Sequence, residues 1–306
     1  MTELATYALA ADLLLLVVGF LYASVTDFRE REAPDGLWQV LGLGGFLIGF
    51  AVVVPDGAVP SALWALVGLF VIQHLFAWDV RLGEIGEKFA DLLELGGYVA
   101  VVAIVGVAVV LLGIGPTAVP VPVIAVLVTV LLARGLFEAG VLYGGADAKA
   151  LMIAGLLVPM FPNPLIPPPA AIAPVTALFP FGLTVLINSA VFSVVIPIGI
   201  AVRNLRAHEF HGVSGFLGYS IPVEELPQKF VWVRDPMFGL GREEELSIET
   251  SEDDRRRRVE IAKELRSRGV ARVWVTPQIP FLVLMTCGVV ASLLVGNVLF
   301  DVLFRF

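Results

Sequence analysis

One cysteine, Cys287, is the entire thiol content of the 306 residues. A single thiol forms no intrachain disulfide, no CxxC zinc module and no paired-thiol redox couple. Charge is scarce as well, with Asp, Glu, Lys and Arg at 16% of the chain, where an ordinary soluble domain carries about 25%. Of three histidines only His74 lies in a long apolar run, so it reads as a polar packing contact; no second His or Cys there completes a metal site. The net charge of −8 argues against a nucleic-acid partner, because a phosphate backbone calls for a basic face. No metal or cofactor is called for by any residue cluster.

What the chain has instead is apolar surface, at 58% hydrophobic residues. Apolar runs near 4–25, 37–54, 61–78, 96–114, 118–141, 148–160, 178–202 and 280–304 predict a polytopic α-helical membrane protein of about eight spans. The first run lacks a basic n-region and a small-residue cleavage site, so it reads as a retained span. Loops 55–60, 113–117 and 161–177 hold no Lys or Arg, whereas 26–36 has Arg29 and Arg31, 79–94 has Arg81 and Lys88, and 203–279 has thirteen. By the positive-inside rule the second set is cytoplasmic and the N-terminus outside.

Three regions follow: a membrane helical domain over 1–202, a small cytoplasmic α/β domain over 203–279, and a C-terminal transmembrane helix over 280–306. The middle region holds thirteen of the 20 basic and thirteen of the 28 acidic residues, so the acidic surplus belongs to the membrane part. Within it Phe230–Arg234 and Ala271–Thr276 read as strands, and Glu252–Arg268 as a helix stopped by Gly269. The run Arg255–Arg258 reads either as a solvated face paired with neighbouring carboxylates or as a patch for lipid or substrate. Ahead of it, Ile85, Phe89, Leu92 and Leu93 give 84–95 one apolar helical stripe, suited to lying flat at the interface.

Catalytic chemistry in such a chain is sought among carboxylates at membrane depth, since each is costly to place there. Asp12 and Asp301 fall toward outer span ends, where solvation accounts for them. Glu138 follows Arg134 by four residues, the spacing of an intrahelical ion pair. Asp27 and Asp147 differ: each lies where a span meets the cytoplasm, the first in Thr26-Asp27-Phe28-Arg29, the second in Gly144-Gly145-Ala146-Asp147-Ala148-Lys149. Two aspartates sharing one proton can hydrolyse an amide, one activating water while the other polarises the carbonyl. Gly144 and Gly145 supply backbone that can take positive φ and be approached closely.

The segment Asp27 to Asp35, read Asp-Phe-Arg-Glu-Arg-Glu-Ala-Pro-Asp after a first span, resembles the Asp-x-basic segment of type IV prepilin peptidases. Gly144 to Lys149 resembles their second, GxGD-type segment, in the form found in archaeal preflagellin and prepilin peptidases. Gly218 to Val223, followed by the α/β unit and a last span, is similar to the archaeal branch as well. The resemblance implies a membrane aspartic endopeptidase with Asp27 and Asp147 as its dyad and no cofactor. It further implies cleavage, on the cytoplasmic side, of the basic leaders of preflagellins and prepilin-like proteins.

Two features depart from the family pattern. Ala146 replaces the second glycine of GxGD, and eight spans exceed the six usual in archaeal relatives. The four-Cys zinc module of the bacterial bifunctional enzymes is absent, as is the Pro-Ala-Leu motif of presenilin-like proteases. Glu30, Glu32 and Asp35 either receive the Lys or Arg of a leader or pair with Arg29 and Arg31. Lys149 either lowers the pKa of Asp147 or anchors its helix end. A transporter would also bear intramembrane carboxylates but should show an internal repeat; a scaffold subunit of a pilus or archaellum machine would need no dyad.

Overall fold

The computed structural model describes residues 3–77, 120–142, 144–160, 164–168, 170, 172–234 and 251–305, together with 99, 101–102 and 106. The apolar runs within these residues are helices. The first, α1 (Glu3–Glu30), is 28 residues long; at about 1.5 Å per residue it exceeds a hydrocarbon core of about 30 Å. It stops where Arg31 takes a positive φ of 59°, and Pro34 then stands as the N-cap of α2 (Asp35–Val53). A 3-10 turn and Gly57 lead into α3 (Ala58–Ala77). Next come α4 (Pro120–Glu138), opening on a proline whose missing N–H costs nothing at a helix start, and α5 (Gly145–Leu157).

The later membrane helices are less regular. Helices α6 (Phe181–Ser193) and α7 (Val195–Arg206) run on as one apolar stretch, Phe181–Arg206. A small sheet follows, made of β1 (Tyr219–Pro222), β2 (Val231–Val233) and, after α8 (Ser251–Ser267), β3 (Arg272–Pro277). The chain closes with α9 (Phe281–Leu294) and α10 (Val298–Arg305), bent by 54° about their junction. Gly296 sits at the break with φ 87°. Buried Asn188 of α6 holds it, donating to Ser292 Oγ at 2.9 Å and Gly296 O at 2.8 Å and accepting from the Val298 N–H at 2.9 Å. The bend carries Asp301 inward, so this residue is buried rather than solvated at a span end.

Four helices, Glu3–Glu30, Asp35–Asp56, Val121–Glu138 and Phe181–Arg206, are long and apolar enough to cross a membrane, and the bent pair α9 and α10 makes a fifth if taken as one span. The protein is thus mostly helical and multi-pass, with four to five apolar candidate spans among the described residues against the eight expected from sequence. Three of the expected spans are not among them. The run at 96–114 lies mostly, and the amphipathic stretch at 84–95 wholly, outside the described residues, and within α3 only Pro60–Leu75 stands out, as a shorter apolar helix. Helix α5 has 13 residues, about 20 Å at about 1.5 Å per residue, which is short for a span. It need not be longer, because protein surrounds it: every residue from Ala148 to Leu157 is buried, with α1, α2, α4 and α6 packed around it. Its side chains join Phe20, Trp38, Phe181 and Met285 in one core.

Close helix approach replaces the hydrophobic drive that lipid cannot supply. At Gly288 on α9 an added Cβ would stand 2.3 Å from Ser189 Oγ and 2.7 Å from the Val185 carbonyl of α6. The hydroxyl can rotate away, but the carbonyl cannot. Gly288→Ala is therefore expected to destabilise the α6–α9 contact by ~1–3 kcal/mol, the usual overpacking cost, read as a lowered melting temperature in detergent.

The sheet order is β1-β3-β2 with both pairs antiparallel, Ile221 opposite Val273 and Trp232 opposite Thr276. Ile261, Ala262 and Leu265 of α8 pack on Ile221, Val223, Val231, Val273 and Val275 to form a second, separate core. Gly269, at φ 75°, ends α8, and the Val270 N–H turns back to Leu265 O at 3.0 Å. Strand β1 is not visible in the sequence: it has four residues, ends in proline and lies at a sheet edge, where a missing N–H is tolerated.

Candidate active site

Asp27 lies in the last turn of α1 and is buried. Polar side chains on that face bind α1 to α9: Ser24 Oγ donates to Leu282 O at 3.0 Å, and Thr286 Oγ1 donates to Phe20 O at 3.0 Å. The α9 start beside them has backbone N–H groups with no intrahelical acceptor. One of these, the Leu282 N–H, donates to Asp27 Oδ2 at 3.1 Å. The carboxylate of the first helix thus caps the last long one, a position where the helix dipole favours negative charge. Its other oxygen is not engaged by that bond.

Arg31 closes the same turn. Its N–H bonds Asp27 O at 3.0 Å and its Nη1 bonds the same carbonyl at 3.1 Å. Its guanidinium stands 5.0 Å from the Phe230 ring, joining the end of α1 to the sheet unit. Burial draws the Arg31 guanidinium below its ordinary pKa, and the neighbouring Asp27 carboxylate opposes that shift.

Asp147 arrives from α5. Gly144 is the N-cap, with φ −98° and ψ 129°, which places Asp147 at the third helical position. There an acidic side chain reaches back to the N-cap N–H, half of a capping box: the Asp147 carboxyl takes the Gly144 backbone bond, while the Asp147 N–H bonds Gly144 O at 3.1 Å. Glycine leaves the Asp147 carboxyl room here. A Cβ at 144 would stand 2.9 Å from Asp147 Oδ2, whereas one at 145 would meet nothing within 4 Å. Neither glycine has a positive φ, so the flexibility read from sequence is not what Gly144 contributes; it contributes room. Ala146 is helical and packs its methyl against the main core, so nothing in this backbone calls for a glycine there.

Helix α1 packs directly on α5, and the charge of Asp27 acts on the Asp147 carboxyl. The remaining candidates surround this pair. Buried Lys149 forms an ion pair with half-exposed Asp35 at 2.7 Å, tying α5 to the first turn of α2. Glu30 and Glu32 are exposed on the chain between Asp27 and α2. His74 bonds Phe70 O at 2.7 Å and stacks on that ring; Arg134 and Glu138 pair within α4. No group of three or more His, Cys, Asp or Glu side chains able to hold a metal stands together among the described residues.

Sequence reading did not find Leu282, Ser24, Thr286 or Phe230. Pro280 ahead of α9 marks a helix start, but nothing local says that this start faces a carboxylate 255 residues earlier.

The described residues form a multi-pass helical bundle with a small sheet unit near the C-terminus, and Asp27 and Asp147 stand on two of its packed helices. Comparison with known proteins gives more particular likenesses. Residues 213–298 match a family model described as the archaeal peptidase A24 C-terminus, type II. A preflagellin peptidase of Methanocaldococcus jannaschii is 28% identical over 163 residues, 50% of this chain and 63% of that relative, so the chain matches under two thirds of its length. A preflagellin peptidase of Methanococcus maripaludis is 22% identical over 296 residues, 94% of this chain and 96% of the relative. No solved structure matches the chain. The resemblance to archaeal preflagellin peptidases carried by the two aspartate segments extends over nearly the whole sequence.

Proposed function

We propose that this chain is a membrane aspartic endopeptidase that removes the basic N-terminal leaders of preflagellins and type IV prepilin-like proteins on the cytoplasmic side. The observation that carries the reading is the packing of α1 on α5, the helices that bear Asp27 and Asp147, 120 positions apart in sequence. Two carboxyl groups in one electrostatic pair share a proton more readily than they both ionise. Asp27, held at a helix N-terminus, is the ionised partner; its free oxygen takes a proton from water as that water attacks the scissile carbonyl. Asp147 keeps its proton and hydrogen-bonds the carbonyl oxygen as it gains charge, and Asp27 passes the proton taken from water to the leaving amine as the C–N bond breaks.

The supporting residues follow from the same geometry. Gly144 leaves space for the Asp147 carboxyl, Gly145 leaves the approach to the helix start open, and Lys149 fixes α5 against α2 through Asp35. Glu30 and Glu32, with the outer side of Asp35, face the leader. The topology that suits this reading has about eight spans, the N-terminus outside, a membrane domain over 1–202, a cytoplasmic α/β domain over 203–279 and a final span over 280–306. The partners are the preprotein substrates and membrane lipid, not nucleic acid.

Membranes carrying the full chain, mixed with a preflagellin bearing a Lys/Arg leader, should yield the shortened product. EDTA and thiol alkylation should leave that rate unchanged, because the dyad uses neither metal nor thiol and Cys287 is exposed on α9. Loss on chelation restored by added metal would overturn the mechanism.

Leader recognition is tested by a charge cycle. Neutralising Glu30 and Glu32 together should weaken a Lys/Arg leader about threefold to tenfold, the range expected of partly exposed pairs, and a neutral leader hardly at all. The enzyme and leader changes should be non-additive. Additive losses would return both glutamates to local pairing.

A further inference from the structure

Between the end of α1 and the sheet unit lies a cavity of about 840 Å³, inside the range of roughly 300–1,000 Å³ typical of ligand sites. One wall is the last turn of α1, through Arg29 and Glu30; the other is α8, through Arg255, Arg256, Arg258 and Lys263. Its positive charge is only partly matched. Arg258 is paired with Asp254, and Glu260 on the wall faces Arg257 at 3.8 Å. Arg29, Arg255 and Lys263 have no ion-pair partner among the described residues, and Glu30 is the remaining acid of the wall. Of the four-arginine run, Arg255, Arg256 and Arg258 line the cavity, whereas Arg257 serves a local pair.

We propose that this cavity binds the phosphate headgroup of an anionic membrane lipid. The wall made by Arg29 and Glu30 is the end of a membrane-crossing helix, so the opening lies at headgroup level, where acidic lipids draw basic side chains. Glu30 is shared with the leader surface proposed above, but the basic groups of α8 would repel a basic leader from the cavity itself. The position also has a structural consequence. The Phe230 ring on the cavity wall lies 5.0 Å from the Arg31 guanidinium and 5.6 Å from that of Arg258. A headgroup held by α1 and α8 together braces the sheet unit against the turn that carries Asp27. This inference depends on the multi-pass reading and not on the dyad.

The test is native mass spectrometry of the full chain in non-ionic detergent, titrated with phosphatidylglycerol, phosphatidylcholine or sn-glycerol 3-phosphate. Phosphatidylglycerol should bind at least about tenfold tighter than phosphatidylcholine. R255Q/K263Q should lose about thirtyfold for phosphatidylglycerol, at about fivefold per basic group near an anionic headgroup, and nothing for phosphatidylcholine. R255K/K263R, which keeps both charges, should retain phosphatidylglycerol like the native chain, and its failure would refute recognition by charge. Equal binding of the two lipids, or unchanged phosphatidylglycerol binding in R255Q/K263Q, would overturn the proposal. Equally tight binding of sn-glycerol 3-phosphate would assign the cavity to a soluble phosphate ester, and tighter binding of an oligoglutamate peptide would assign it to an acidic protein segment.

Discussion

Asp27→Ala and Asp147→Ala should each lower preprotein cleavage by at least about 10³-fold, within the range that general acid–base groups contribute, while the protein remains inserted in the membrane. The two alanine variants should differ in stability. Asp27→Ala leaves the buried Leu282 N–H without its acceptor, a loss of ~1–3 kcal/mol, so α9 should loosen from α1. Asp27→Asn separates the roles, because an amide oxygen can still accept from Leu282 but cannot take a proton from water. It should melt near the native temperature yet remain inactive. Asp147→Asn should likewise keep the bond to Gly144 and lose cleavage. Processing measured in membranes, together with a melting curve for each variant, reads both effects. Substantial cleavage by either asparagine variant would remove that aspartate from the chemistry.

The sequence singles out the two aspartates because each sits at a span end inside a short distinctive segment, where the membrane makes a carboxylate costly, and the structure packs the helices that carry them together. Their surroundings were less legible, since they are built by contacts between distant parts of the chain. Asp35, read as an acceptor for leader cations or local arginines, is engaged by Lys149 from 114 residues away. The Leu282 amide is invisible to any side-chain pattern. Helix α5 is hard to place from sequence for a related reason: hydropathy registers an apolar helix equally whether lipid or protein covers it, and here protein does. In the sheet unit, α8 and two strands follow from periodicity and from Gly269, whereas β1 is too short to show alternation. Of the two properties read for Gly144, positive φ and close approach, the backbone uses only the second.

That distinction sets up the second large effect. Gly144→Ala should lower cleavage by about 10²-fold, the scale expected when a catalytic group is displaced by about 1 Å, while Gly145→Ala should stay within about twofold of native. The backbone itself predicts no difference between the two, because neither has a positive φ and Gly144 at φ −98° and ψ 129° is comfortable for any residue. The steric argument separates them. The new methyl would lie 2.9 Å from Asp147 Oδ2 and 3.3 Å from its Cγ, so the carboxyl must turn from the Gly144 N–H and from the place where Asp27 acts on it. The α5 helix should survive, since the Asp147 N–H to Gly144 O bond is unaffected and alanine is an acceptable if weaker N-cap. A melting temperature close to native with activity reduced about 10²-fold is therefore the signature of misplacement. Ala146→Gly supplies the control, for it restores the family's second glycine at a helical position that does not need one. It should cost at most about 1 kcal/mol of helix stability without raising the cleavage rate. If Gly145→Ala or Ala146→Gly moved the rate as much as Gly144→Ala, the loop would matter through flexibility, and the steric account of Gly144 would fail.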